Sequence, residues 1–181
     1  MQFIATDIPG LIIIEPKVFG DARGFFMETH NERAFRDAGI DVRFVQDNYS
    51  RSSRNVLRGL HYQIKQPQGK LVRCVAGSVY DVVLDIRRGS PTFGRWLGFE
   101  LSAENKRMVW VPPGFAHGFM VTSDTAEFTY KVTDFWAPEH ERSVQWNDPA
   151  LAITWPLGGT QPTLSKKDAE GIPLAQAQVF E

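Results

Sequence analysis

Residues 78–86 read Ser78-Val79-Tyr80-Asp81-Val82-Val83-Leu84-Asp85-Ile86, and their alternation announces a strand. Successive side chains of a strand point to opposite faces. Val79, Asp81, Val83 and Asp85 therefore share one face, which carries two carboxylates. Tyr80, Val82, Leu84 and Ile86 share the other, which is wholly apolar or aromatic. Similar short runs lie on both sides of this one. Leu11–Ile14, Phe44–Ser50, Val56–Ile64 and Leu71–Val75 precede it; Trp96–Leu101, Met108–Val111, Ala116–Val121 and Ala126–Thr133 follow. Turn residues separate them at Ala76–Gly77, Arg88–Pro91, Ala103–Asn105 and Ser123–Thr125. Many short strands at regular spacing predict an all-β sandwich or barrel.

Helix is scarce. Asn31 is placed to cap a helix over Glu32–Ala38 that stops at Gly39. Ser165 is placed to cap a second over Lys166–Glu170, with Asp168 in the capping-box position and Gly171 as the stop. Residues 146–181, rich in Pro and Trp, are expected to pack irregularly over the β structure, and residues 1–181 to form a single domain.

The 181 residues carry a formal charge of −1, from 20 Lys and Arg against 21 Asp and Glu. No global field attracts nucleic acid or an anionic membrane. No apolar stretch approaches membrane-spanning length, and the N-terminus shows no secretory pattern. Cys74 is the lone cysteine, and its strand context suggests a buried thiol in a reducing cytoplasm.

Two segments concentrate the chemistry. Leu57-Arg58-Gly59-Leu60-His61-Tyr62-Gln63 puts an arginine and a histidine on one strand, three positions apart. Odd spacing sends them to opposite faces unless Gly59 introduces a bulge. Pro112-Pro113-Gly114-Phe115-Ala116-His117-Gly118 brings a second histidine. Paired strand histidines suggest proton chemistry or a metal. Metal-binding cupins, which are jelly rolls, combine a His-x-His…Glu cluster with a later Pro-x-Gly-x-x-His. Pro112, Gly114 and His117 match the second element, but Gln63 stands where the first needs a histidine, and Ile64–Lys70 contains no acid. A metal-free pocket is expected, because catalytic metal sites usually take three protein ligands.

His61 is a candidate general base if a carboxylate orients its other ring nitrogen. Lys70 suits a developing negative charge, Tyr130 a proton donor, and Arg23, Arg58 and Lys166 an anion such as a pyrophosphate. Taken singly, each residue also has an ordinary structural role. Asp168 in particular reads equally well as a helix N-terminal acid.

The joint pattern resembles the dTDP-4-dehydrorhamnose 3,5-epimerase family from about Phe3 to Leu174. The resemblance rests on ordered blocks: Asp21–Glu28, Phe44–Ser50, Val56–Gln63, Gln68–Arg73, Ser90–Gly94, Pro112–Phe119, Tyr130-Lys131 and Trp146–Pro149. It implies a cupin-type jelly roll and a cofactor-free double epimerisation. The implied substrate is a dTDP-linked 4-keto-6-deoxy sugar, in dTDP-rhamnose synthesis. It further implies that His61 is the base, Asp168 its orienting partner, Lys70 the stabiliser of the enolate oxygen and Tyr130 the acid. Arg23, Arg58 and Lys166 match positions at or near the diphosphate. Glu28, Gln46, Asp47 and Asn48 match the segment that holds the nucleotide, partly from a neighbouring subunit. His117 and Glu141 match further substrate contacts, and Trp136 a position where the family commonly stacks a tyrosine on thymine. Phe19 and Phe26 are expected in the core, with walls of the site as the alternative. The family forms homodimers through its N-terminal strands, within about residues 1–45, and an exposed Leu11–Ile14 strand suits that role. A single-centre epimerase and a non-catalytic sugar-binding protein are the alternatives.

Overall fold

The computed structural model describes residues 1–181. Its strands in chain order are β1 (Gln2–Ala5), β2 (Ile12–Glu15), β3 (Val18–Asp21), β4 (Gly24–Met27), β5 (Gln46–Ser53), β6 (Leu57–Gln63) and β7 (Lys70–Ala76). They continue as β8 (Ser78–Asp85), β9 (Trp96–Ser102), β10 (Met108–Val111), β11 (Phe115–Val121), β12 (Thr125–Val132) and β13 (Glu141–Ser143). Two short helices, α1 (Glu32–Asp37) and α2 (Lys166–Ala169), carry the expected caps: Asn31 Oδ1 accepts from Ala34 N, and Ser165 Oγ from Asp168 N.

The pairing is nested. β5 joins β12, β6 joins β11, β7 joins β10 and β8 joins β9, all antiparallel, as along one long hairpin. Rolling that hairpin brings β7 beside β12 and β8 beside β11, which is jelly-roll topology. The result is two sheets, β1-β2-β10-β7-β12-β5 and β13-β6-β11-β8-β9, which do not close into a barrel.

Between the sheets lies a core of Val72, Cys74, Val109 and Phe128 from one and Val79, Val83, Phe119 and Val121 from the other. This is the Val79–Asp85 face of β8. The opposite face, Val82, Leu84 and Ile86, is covered by Leu151, Trp155 and Ala177 of the C-terminal segment. That cover is irregular but anchored: Trp155 Nε1 donates to Trp146 O, and Trp96 Nε1 to Leu151 O. On the outer side of the first sheet, α1 lays Phe35 against Ile14, Leu71, Met108 and Trp110.

Two expectations need correction. Leu11 and Ile14 are not exposed but fully buried. β2 fills the edge beside β10 and is itself covered by β1, so its β-branched run has partners within its own chain. Phe19 and Phe26 are not core residues. They stand on the hairpin β3–β4, which pairs with neither main sheet, and Phe26 is 66% exposed.

Candidate active site

The decisive local event is in β6. His117 faces His61 across the β6–β11 pairing, and Phe119 faces Arg58. Between these pairs Gly118 alone opposes Gly59 and Leu60, which is a β-bulge. The bulge resets the alternation. Leu57, Leu60 and Tyr62 pack under the C-terminal segment, while Arg58, His61 and Gln63 line a cavity. Gly59 permits it, with φ at +132° and no room for a side chain. A Cβ there would sit 2.5 Å from Gly118 Cα.

The cavity has a volume of about 370 Å³ and opens between the two sheets. Inward positions of three strands of the first sheet complete it: Lys70 on β7, Tyr130 on β12, and Gln46, Asn48 and Ser50 on β5. His117, Gly118 and Phe119 of β11, Glu141 of β13, Lys167 of α2 and Gln68 add the rest, with Trp136 at the exposed mouth.

His61 and Asp168 are in contact. His61 Nε2 lies 2.6 Å from Asp168 Oδ1. Asp168 also accepts from Gly59 N at 3.1 Å, and its Oδ2 from Ser165 Oγ at 2.6 Å. Burial alone would raise its pKa. The donors from His61, Ser165 and Gly59 outweigh that and hold the carboxyl well below the usual range. An ionised Asp168 accepts a hydrogen bond from Nε2–H, so the lone pair of the His61 ring is on Nδ1, which has no protein partner, and His61 lines the cavity. Burial lowers the pKa of His61, Lys167 and Lys70 add to that, and Asp168 opposes it. The ring is therefore a neutral base near pH 7.

Lys70 is buried, its Nζ 3.4 Å from His61 O. Desolvation brings its pKa down to about 8, against the upward pull of Glu141 and Asp81. Burial raises the pKa of Tyr130, Glu141 adds to this, and Arg58 opposes it; the phenol keeps its proton. Base and acid stand on different sheets, His61 on β6 and Tyr130 on β12. Arg58 has no carboxylate partner; its Nε and Nη2 donate to Ser52 Oγ at 3.1 and 3.0 Å. Its guanidinium is available to an anion at the rim.

Other residues named from the sequence fall outside the cavity. Asp47 lies on β5 between Gln46 and Asn48, so it points to the opposite face and pairs with Lys131 at 3.0 Å. Glu28 accepts from Asn31 Nδ2, and Arg23, on the hairpin tip, is bonded to Asp21. Lys166 lies along α2 towards Glu170, at 3.8 Å. Its neighbour Lys167 lines the cavity and bonds Glu141 Oε1 at 2.8 Å. Helical spacing carried this signal: Lys167 is one position, about 100° of turn, from the Asp168 that faces His61, whereas Lys166 is two positions and about 200° away.

The sequence reading also missed what Gln63 does. Its Nε2 donates to Gln66 O and Phe135 O, and its Oε1 accepts from Ala137 N at 2.9 Å. It ties down the loop bearing Trp136, whose backbone N–H also donates to Gln46 Oε1.

Fold and cavity define a class: a jelly-roll protein with an acid–base site suited to moving protons beside a carbonyl, flanked by cations for an anionic ligand. The chain belongs to the dTDP-4-dehydrorhamnose 3,5-epimerase family, whose model matches residues 5–176. It is 64% identical over 181 residues to dTDP-4-dehydrorhamnose 3,5-epimerase of Pseudomonas aeruginosa, covering 99% of both chains. Among solved structures it is similar to the Legionella pneumophila 3,5-epimerase RmlC in complex with dTDP-4-keto-L-rhamnose, with a TM-score of 0.95, 56% identity and coverage of 98% and 94%. It is also similar to ChmJ, a 3'-monoepimerase of Streptomyces bikiniensis in complex with dTDP-quinovose, with a TM-score of 0.91, 38% identity and coverage of 96% and 88%.

Proposed function

We infer that this chain is a dTDP-4-dehydrorhamnose 3,5-epimerase that converts dTDP-4-keto-6-deoxy-D-glucose into dTDP-4-keto-L-rhamnose. The observation that carries this reading is the His61–Asp168 pair. It leaves one basic nitrogen on the cavity, with Tyr130 on the facing sheet. The hydrogens at C3 and C5 are both acidic, because each carbon is alpha to the C4 ketone. His61 Nδ1 takes one of them, and the electrons move onto the ketone oxygen as an enolate. Lys70 carries an ammonium group suited to that oxygen. Tyr130 returns a proton to the opposite face, which inverts the centre; His61 then gives its proton to solvent and Tyr130 regains one from it, and the cycle repeats at the second carbon. These steps use side chains alone and call for no metal or cofactor.

Arg58 and Lys167 supply charge for the diphosphate, Gln46 and Asn48 polar contacts, and Trp136 an aromatic face for thymine. His117 and Glu141 contact the sugar. Arg23, Glu28, Asp47 and Lys166 do not line this cavity, and the first three reach a second copy's site in a homodimer. The exposed aromatics of β3–β4 support that assembly, with Phe25 60% exposed. The enzyme works in the cytoplasm; its single buried thiol suits a reducing compartment, and no helix is long and apolar enough to cross a membrane.

The similarity to a monoepimerase favours one second reading, inversion at C3 only. Incubation with dTDP-4-keto-6-deoxyglucose in deuterated water separates the two. Label at both C3 and C5 by NMR is expected; label at C3 alone supports the narrower enzyme, and no label at either overturns both. A chelator should leave the rate unchanged.

A further inference from the structure

β8 sends two carboxylates into the space between the sheets, and they are treated very differently. Asp85 is fully buried and fully satisfied. It accepts from Arg87 N, Nε and Nη2, from Ser90 Oγ and from Thr92 Oγ1, at 2.7–3.0 Å. Asp81 is also 0% exposed, yet it has one partner. Its Oδ2 lies 2.7 Å from His117 Nε2, and its Oδ1 is buried with none. A buried carboxylate in that condition is destabilising. Nothing in the packing of β8 calls for it, since Val79 and Val83 on the same face simply join the apolar core.

What Asp81 does touch is the cavity. His117 is itself a lining residue, its ring stacked on Phe128 at 6.2 Å. With Nε2 turned onto Asp81, Nδ1 has no protein partner and is the ring atom left for a ligand. Burial pushes the Lys70 ammonium towards its neutral form, and Glu141 and then Asp81 oppose this. The other charged or titratable groups around Lys70 come from every neighbouring element: His61 and Arg58 from β6, Tyr130 from β12, Glu141 from β13 and Lys167 from α2. Glu141 is already held by Lys167, and Asp168 by His61, Ser165 and Gly59, which leaves Asp81 as the buried carboxylate beside the cavity with an oxygen that has no partner.

We propose that Asp81 is a positioning residue for the epimerisation: its carboxylate fixes the His117 ring with Nδ1 turned to the substrate. This rests on the epimerase reading above. Removing the charge should then weaken the chemical step more than substrate binding. Lys70 should also lose its proton at lower pH, moving the alkaline limb of the rate profile downward.

The test is Asp81→Asn beside wild type and Asp85→Asn, with turnover of dTDP-4-keto-6-deoxyglucose followed across pH and unfolding followed by heat. Wild-type turnover tests the epimerase reading itself; an inactive wild type removes that reading and the proposal with it. With active wild type, Asp81→Asn should lower kcat about tenfold, leave KM within about twofold and move the alkaline limb to lower pH. Asp85→Asn should melt earlier without moving that limb. An Asp81→Asn enzyme with unchanged kcat and an unmoved limb overturns the proposal. If that variant does not fold, nitrogen-15 spectra of wild type serve instead. The His117 Nε2 proton should persist, and Nδ1 should shift when dTDP-4-keto-6-deoxyglucose is added to a Tyr130→Phe enzyme that cannot complete inversion. No shift at Nδ1 overturns it.

Discussion

At the scale of single residues, the site depends on which atom of each group is left free. His61 offers Nδ1 because Asp168 occupies Nε2. His61→Ala should abolish deuterium exchange at both carbons, a loss of at least about a hundredfold. Tyr130→Phe should still wash label into the substrate while net inversion falls, and full inversion by this variant would refute its role as acid. Burial lowers the His61 pKa, so the neutral base survives below the usual histidine range and the acid limb of kcat/KM should lie below pH 6.5. Lys70 must be charged, and its pKa is about 8, so the rate should fall as pH rises through that value. Lys70→Arg, whose guanidinium keeps its proton, should push that limb upward if the geometry tolerates it. The residue types for this chemistry were legible in the sequence. The Asp168 contact was not, because Asp168 and His61 are 107 positions apart and meet only when α2 docks on β6.

At the scale of elements, one bulge and one turn of helix account for how the site departs from expectation at β6 and α2. Without the bulge at Gly59, period two would turn Arg58 and His61 to opposite faces. Gly59→Ala should therefore do more than remove flexibility. Its Cβ would collide with Gly118 and the residue would hold a positive φ, so a loss of about 2–3 kcal/mol in stability is expected, together with activity. A thermal melt and a turnover assay check both. On α2, Lys167→Ala should raise KM for the nucleotide sugar about tenfold, while Lys166→Ala should change it little. Steady-state kinetics of the two variants test this directly. The same strand logic explains Asp47, whose neighbours Gln46 and Asn48 line the cavity while it turns away.

At the scale of the molecule, the nested pairing of β5 to β12 supplies a rigid two-sheet frame, and the C-terminal segment covers its apolar outer face. Asp85 helps hold the turn after β8, with a pKa of about 2 against an ordinary 3.8. A depressed carboxyl pKa stabilises the fold fully above its unfolded value and progressively less as pH falls through the folded one. Acid unfolding monitored by circular dichroism should show this contribution intact at pH 5 and fading between about 4 and 2, and Asp85→Asn should remove that dependence. If the β3–β4 hairpin completes a second copy's site, light scattering at micromolar concentration should give the dimer mass. Arg23→Ala should then weaken substrate binding although Arg23 lies outside its own chain's cavity.

Most of the strands, the caps of both helices and the residue types of the site follow from the sequence, because alternation, capping and side-chain chemistry are local properties. The face each side chain presents at β6, the choice of Lys167 over Lys166 and the partnerless oxygen of Asp81 follow from docking. They depend on a bulge, a helix seat and a burial pattern that arise only when segments far apart in the chain compete for the same space. The Leu11–Ile14 strand shows the same competition: locally it reads as exposed, yet the free edge of β10 pairs with it and β1 covers its other side.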